Sequence, residues 1–583
     1  MVHDTHAPPN PSDPAKSVQG APLQDWSHLD PKRWLALAVI LIAAFMDLLD
    51  ATIVNVAIPS MQDNLHARYS DIEWIVAAYA LSFAAMLITG GRLGDIFGRK
   101  LIFMVGVLGF TASSVLCGLA QTPGELIGAR FAQGAMAGLM VPQVLSIIHV
   151  TFPPNERGKV FGMFGGIVGS ASVFGPILGG LLVQWNVNNL HWRPIFLVNL
   201  PVGLLALIPA YFVIRESKSP TAPRLDLFGM VLAIAAVVLV AYPLTEGRSD
   251  GWPLSGYLMM AAAAPVLIVF VLYERWRTGR AGSPLVVLSL FRQRSFDAGL
   301  SVWLIFNVAL SGFFLVWTLY MQIGLGWTPI HSGLTGIIFA FGAAPAAGAS
   351  VQVLTPKFGR KVLMAGALLN AAGFAVFIYM AAHFGTKITT WEMIPPLLVA
   401  GVGFGLVVAP ITDLVLSDVP TADAGSASGV FSTVQQVGAA LGIALIGVIF
   451  FSQLNTQSHK AVDAVTPKLR STLSAAGLPG PAVDGVVADF GTCIRDRSAA
   501  TDPTSVPPSC QKNPVQMGVD PATAGQVTAI LTTSSQSAAG EDFWRGFGVT
   551  LVWMIGDLLL VFLGMFALPK KVREIDPAEK AWA

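Results

Sequence analysis

Charged side chains are scarce in this 583-residue chain: Asp, Glu, Lys and Arg make up 12% of it, against roughly a quarter in soluble proteins. Length alone would suggest several water-facing domains, but there is too little polar surface to clothe them. Three cysteines exclude a disulfide-dense secreted scaffold and offer no metal-ligand spacing. A net charge of +1 gives no field that would hold nucleic acid. No GxxxxGK[ST] phosphate loop is present, so no nucleotide partner is expected. What abounds is apolar: 54% hydrophobic residues, 34 Phe, 14 Trp and 58 Gly, with a mean hydropathy of +0.64. That balance suits closely packed helices in lipid. The chain reads as an all-α integral membrane protein.

A spanning helix needs about 20 apolar residues, and fourteen such runs occur. Six lie near 34–59, 72–90, 101–119, 125–150, 159–184 and 194–214, and two near 226–246 and 254–273. The last six lie near 297–321, 332–353, 362–382, 392–412, 427–451 and 544–568. The runs are continuous rather than alternating, which argues against a β-barrel, the other way to satisfy a backbone in lipid. The expected division is a tail at 1–33, a six-helix half at 34–215 and a linker with two extra spans at 216–295. A second six-helix half follows at 296–568, interrupted by a large outer loop at 452–543, and a tail at 569–583.

On the side holding both termini, tails and short loops carry 23 Lys and Arg, against 4 in the short loops opposite. Both termini are therefore expected in the cytoplasm, with the chain a multi-pass protein of the cell (inner or plasma) membrane. No apolar stretch precedes the first span, so no cleaved signal peptide is expected. The 452–543 loop is rich in Ala, Ser, Thr and Pro and nearly free of aromatics, and is expected to be largely mobile. Cys493 and Cys510 both lie in it, on the oxidising side. A disulfide between them would close a loop of about 18 residues, worth ~3 kcal/mol; the alternative is two free thiols. Cys117, inside span 3, is read as packing.

Shifting the chain by about 262 residues lays the first six spans on the last six. Gly98-Arg99-Lys100 falls on Gly359-Arg360-Lys361 at a shift of 261, and Gly162, Gly166, Gly175 and Gly179 fall on Gly425, Gly429, Gly438 and Gly442 at 263. The architecture is six plus two plus six, with two pseudo-symmetric halves expected around a central cavity. Duplicated halves are the usual physical basis of alternating access.

Between spans 2 and 3 stands Gly91-Arg92-Leu93-Gly94-Asp95-Ile96-Phe97-Gly98-Arg99-Lys100. Glycines let a short loop turn tightly, Asp95 can accept backbone N–H groups at a helix start, and the cations can pair across the gap. By charge alone this is a positive-inside turn. Its full spacing, however, matches the loop signature of the major facilitator superfamily at nearly every position. Leu49 to Pro59 ending span 1, Arg130-Phe131-Ala132-Gln133-Gly134 in span 4, and Trp192-Arg193-Pro194-Ile195-Phe196 with Asn199-Leu200-Pro201 at span 6 narrow the likeness. Gly175-Pro176-Ile177-Leu178-Gly179-Gly180 in span 5 resembles the family's antiporter motif. With fourteen spans, the chain resembles the fourteen-helix drug:proton antiporters, the multidrug efflux permeases.

The resemblance implies the major-facilitator fold. It makes the Gly91–Lys100 stretch a latch of the state closed at the inner face, and span 5 a kinked seal against proton leak. The second-half counterpart has Pro356 where Asp95 would fall, so an asymmetric latch is expected. Read from physics alone, the span 5 glycines clear a groove for a neighbouring helix and Pro176 softens their own.

Buried charge is the sharper signal, because a charged group at the bilayer centre costs at least ~2.5–3.5 kcal/mol. Asp47 and Asp50 stand at i and i+3 on one helix face. Counted inward from Pro59 they lie about 18 and 13 Å deep, and Arg130 about 8 Å deep from Glu125. The expected arrangement is an Asp50–Arg130 pair with Asp47 less well paired, the two acids titrating as one coupled unit. Asp50 and Arg130 also belong to the family motif; Asp47 rests on physics alone. Weaker candidates are Asn55, Gln143, Asn307, Gln322, Gln435 and Gln436 for the cavity, the span 9 aromatics Trp303, Phe306, Phe313, Phe314 and Trp317 for stacking, Asp413 as a solvated group, and Asp557 as a partner of a linker helix.

The function expected is proton-driven export of a lipophilic, drug-like, in some cases cationic, compound across the cell membrane by a monomer. Its partners are the small molecule, protons and the bilayer, and no cofactor or metal is needed. Span 10 lacks an acid, which argues against divalent cations. A dedicated exporter of one metabolite, lipid or self-made antibiotic is the alternative. A membrane-embedded enzyme or sensor using the outer loop is a third reading, though no catalytic or metal-ligand spacing stands out there.

Overall fold

The computed structural model describes residues 30–67, 69–185, 189–219, 226–247, 251–280, 284–420, 423–499, 506–517 and 519–569. Within these the chain is helical, with no strand. The first group is α1 (Arg33–Leu65), α2 (Tyr69–Phe97), α3 (Arg99–Leu119), α4 (Pro123–Thr151), α5 (Pro154–Trp185), a single turn α6 (Pro194–Leu197) and α7 (Asn199–Val213). Next come α8 (Leu227–Glu246) and α9 (Leu254–Arg280). The remainder is α10 (Arg294–Leu319), α11 (Pro329–Ala349), the short α12 (Thr355–Phe358), α13 (Lys361–Phe384), α14 (Thr390–Ser417), α15 (Ala424–Ala475), α16 (Gly480–Ala499) and α17 (Ala524–Gly564). Thirteen described helical stretches are long and apolar enough to cross a membrane. The fifth expected span is α5, 32 residues long, some of whose side chains, Pro176 among them, lie outside the described residues.

Packing repeats between the two groups. α2 pairs with α4 as α11 does with α14, α3 with α4 as α13 with α14, and α1 with α5 as α10 with α15. The groups meet where α5 lies along α11 and α14, and where α15 lies along α2 and α4. Close approach depends on missing side chains: a Cβ on Gly91 would run into the carbonyl of Gly425, and one on Gly134 into that of Tyr79. The extra pair α8–α9 packs on α2 and α15.

Two expectations are corrected. The Gly91–Phe97 stretch is not loop but the last turns of α2, and only Gly98, at φ +118°, breaks the helix before α3. The 452–543 region is also far more ordered than its composition suggests. α15 runs on for 52 residues, and α16 and the first part of α17 fold against that extension. Val462, Val465, Leu469 and Leu473 recur at helical spacing and bury against Val483, Val486, Phe490 and Ile494 of α16. This stripe gives the cap an apolar core of its own. Cys493 and Cys510 are disulfide-bonded, with Cα atoms 4.7 Å apart, and Lys512 pairs with Asp489 at 2.7 Å.

Candidate functional site

Five helices of the first group place polar side chains at one buried point. Asp50 of α1 is fully buried, and its Oδ2 accepts from Arg130 Nη1 of α4 at 2.5 Å. Its Oδ1 accepts from Gln133 Nε2 at 2.8 Å and from Asn199 Nδ2 of α7 at 2.7 Å. Arg130 is spent on its surroundings as well: Nη1 donates to Gln133 Oε1 at 2.8 Å and Nε to the carbonyl of Ile75 on α2. Its guanidinium lies 4.1 Å from the centroid of the Tyr79 ring, a cation–π contact. Ser114 of α3 closes the network by accepting from Asn199 at 2.9 Å. A buried ion pair is tolerable when the remaining lone pairs and protons are also satisfied, and here the acid has three donors.

Asp47, one turn earlier on α1, is held differently. Its Oδ1 accepts from the Tyr79 hydroxyl at 2.5 Å, and among the described residues no Lys or Arg lies within ion-pair distance of it. Tyr79 thus touches both acids' surroundings, bonded to Asp47 and stacked on the cation that holds Asp50. Gln133 and Asn199 lay inside stretches that already stood out in the sequence, without a role. Tyr79 had no signal at all, because a neutral side chain 32 positions away from its acid looks like any span aromatic.

At one end of the molecule the latch residues bind across the two groups. Asp95, fully buried, accepts from Arg99 Nη2 at 2.8 Å and lies 3.7 Å from Arg92 Nη1. It also accepts the backbone N–H groups of Gly425 and Ser426, each at 3.1 Å, at the start of α15. Orphan N–H groups and the positive end of the helix dipole make that a favourable seat for a carboxylate. Arg92 Nη2 donates to the Pro284 carbonyl at 2.6 Å, tying in the segment after α9. Glu216 accepts from the backbone of Lys100 and Leu101, at 3.1 Å each, beside Gly98. His149 of α4 adds a tie to the Val419 carbonyl at 3.0 Å.

The family model described as Major Facilitator Superfamily matches residues 40–443. The chain belongs to the major facilitator superfamily.

Its members are transporters, and so is this chain. It is 39% identical over 543 residues to the "probable actinorhodin transporter" of Streptomyces coelicolor, covering 93% of each chain. It is 35% identical over 468 residues to the puromycin resistance protein pur8 of Streptomyces alboniger (80% of this chain, 88% of the relative). It is 32% identical over 513 residues to the tetracenomycin C resistance and export protein of Streptomyces glaucescens (86% and 89%). The crystal structure of the human organic anion transporter MFSD10 (TETRAN) superposes with a TM-score of 0.53 at 14% identity, covering 72% of this chain and 94% of that one. That likeness speaks to the fold alone.

Other facilitator features fall as follows. The second-half counterpart of the latch does not reach across: Arg360 Nη1 donates to the carbonyls of Phe566 and Leu568, at 2.7 and 2.8 Å, just beyond α17. In the antiporter stretch, Gly175 lies against Thr52 of α1 and Gly180 against Ile330 of α11, so glycine brings α5 close to both groups. Gly179 is buried in the same helix, and the side chain of Pro176 lies outside the described residues. Gln143 donates to the carbonyls of Gly90 and Leu139 and Asn307 to that of Trp303, so both are spent on helix packing. The side chain of Asn55 lies outside the described residues, and Gln322, Gln435 and Gln436 are half-buried.

Asp413, expected solvated, is half-buried, with Arg157 as its neighbouring charge. Asp557 meets the backbone of Ala309 on α10 rather than a linker helix, in keeping with the main packing of α17 on α10, α13 and α15. Trp303, Phe306, Phe313 and Trp317 are buried core, whereas Phe314 is half-buried.

Proposed function

We propose that this transporter exports a lipophilic compound in exchange for protons, with Asp47 as the exchanging group and Asp50–Arg130 as a fixed platform beside it. The observation that carries the reading is the unequal pairing of the two acids. Releasing Asp50 from Arg130, Gln133 and Asn199 would strand a buried cation, a cost of several kcal/mol. Asp47 has a neutral partner in Tyr79, so it can take a proton or a cationic group without breaking an ion pair. Because the Tyr79 ring also covers Arg130, a change at Asp47 is felt at the platform, where α1, α2, α4 and α7 meet.

In the proposed cycle a proton from the outer side neutralises Asp47, loosens its hold on substrate and permits return to the inward-facing state. The driving force is ~2.3 kcal/mol per charge per 100 mV plus ~1.36 kcal/mol per pH unit. The Asp95 seat on α15 supports the inner end as the one closed here, with both termini on the cytoplasmic side of the plasma membrane. The chain is proposed to work as a monomer without a cofactor.

Relatives named for one antibiotic each support a second reading, a dedicated exporter of a single compound, about equally well. Both readings are tested by the purified protein in liposomes under an imposed pH gradient, challenged with a panel of lipophilic amines, neutral aromatics and antibiotics. Gradient-driven movement of many unrelated compounds supports the broad exporter, and movement of one supports the dedicated exporter. Movement that persists when an ionophore collapses the gradient would contradict proton coupling. Deleting 460–535 separates both from an enzyme or sensor in the outer loop, which would lose its function outright.

A further inference from the structure

Besides Asp47, Asp50 and Asp95, the chain buries a carboxylate that has no account in the exchange cycle or the latch. Asp542, on α17 beneath the cap, is 2% exposed. Its Oδ2 accepts from the Ser498 hydroxyl of α16 at 2.5 Å, while its Oδ1 is buried with no hydrogen-bond partner among the described residues. A buried carboxylate oxygen left unpaired is costly, so the arrangement asks for a donor. The nearest cation on its own helix, Arg545, is spent on Glu541 at 3.3 Å and on the Trp544 ring at 4.8 Å.

Asp542 opens into a small pocket between the cap and the second half, lined by Ile323, Phe451, Leu454, Phe543, Ser535 and Arg497, among others. The enclosed space beside Asp542 is small, of a size for an ammonium head alone, so an apolar substituent would lie along the walls toward the opening. The walls are mainly apolar and aromatic, and the hydroxyls of Ser498 and Ser535 are too few to replace the water shell of a metal cation. One carboxylate oxygen among aromatic and aliphatic walls suits an ammonium group that carries an apolar substituent. The pocket is also remote from the latch. Phe451 stands 26 residues beyond Gly425 on continuous α15, about 39 Å away at 1.5 Å per residue, more than the thickness of the hydrocarbon core.

We propose that the pocket between the cap and the second half binds the head of an amphipathic primary amine through Asp542 Oδ1, with the apolar part against Phe451 and Phe543. Arg497, exposed at the rim and without an ion pair among the described residues, competes for the same carboxylate. The site stands apart from the Asp47 exchange site and does not depend on proton coupling.

The test is calorimetric titration of the full-length protein in lipid nanodiscs with phenethylammonium, and with uncharged 2-phenylethanol as control. The expected result is saturable ammonium binding, of which one component weakens at least about tenfold in Asp542→Asn and strengthens in Arg497→Gln, while phenylethanol does not displace it. Ala539→Leu fills the pocket, leaves every charge in place and should abolish the same component, which keeps the test open should Asp542→Asn fail to fold. Equal ammonium binding in wild type, Asp542→Asn and Ala539→Leu, or the absence of saturable binding in both wild type and Arg497→Gln, would overturn the proposal.

Discussion

The two repeats share a helix arrangement and differ in what they bury. At the repeat offset of about 262, Asp47 and Asp50 fall on Ala309 and Gly312 of α10, both buried. Where the first group holds an ion pair and its donors, the second holds a slab of rings. Phe313 stacks on Phe374 at 4.6 Å between centroids, Trp303 on Phe431 at 5.1 Å and Phe306 on Phe404 at 6.0 Å. Such ring pairs add stability beyond burial and carry no charge that a proton could change. A duplicated architecture thus holds a buried ion pair in its first half and stacked rings in its second; on the proposed cycle, proton exchange belongs to the first. The latch is unequal too: the first copy seats Asp95 across the interface, while among the described residues Arg360 of the second binds carbonyls of its own group.

The sharpest way to break this contrast is Arg130→Ala, which leaves Asp50 buried without its cation. A loss of about 3–5 kcal/mol is expected, with transport abolished, read by thermal unfolding in detergent and by efflux. Phe313→Ala should cost a comparable ~3 kcal/mol or somewhat more through the cavity it opens. Its expected signature differs, because the transport that survives should keep the wild-type number of protons per substrate. If Phe313→Ala changed that number, the division between the halves would fail. Asp95→Asn removes a charged acceptor from the two N–H groups of α15 and from Arg99. The closed latch should lose about 1–3 kcal/mol, seen as faster labelling of a cysteine placed at the inner end of the cavity, with stability of each half little changed.

Much of this was legible in the sequence, for identifiable reasons. Span lengths and the Asp50–Arg130 pairing follow from the cost of polar groups in lipid, which leaves few positions for charge and makes each conspicuous, and the repeat offset follows from coincident glycines and the Gly-Arg-Lys turn. The donors Tyr79 and Asn199 and the acceptor Ser114 are not legible as partners, because neutral polar side chains are common in membrane helices and their contacts span 32 to 149 positions. The helical end of α2 was missed because Gly91, Gly94 and Gly98 signal a turn. Two of the three serve instead to admit the backbone of α15 and the side chain of Gln143. The Ala, Ser and Thr content of the cap suggests mobility, yet Val462, Val465, Leu469 and Leu473 trace a helical stripe within it. Its single disulfide and packed α16 were masked by composition averaged over a long segment.

The most direct measurement is substrate-dependent proton movement in liposomes, with Asp47→Asn and Asp50→Asn compared against wild type. Asp47→Asn should fold and bind substrate yet move no protons with it, whereas Asp50→Asn should lose stability along with activity. Wild-type proton movement in Asp47→Asn would contradict the account.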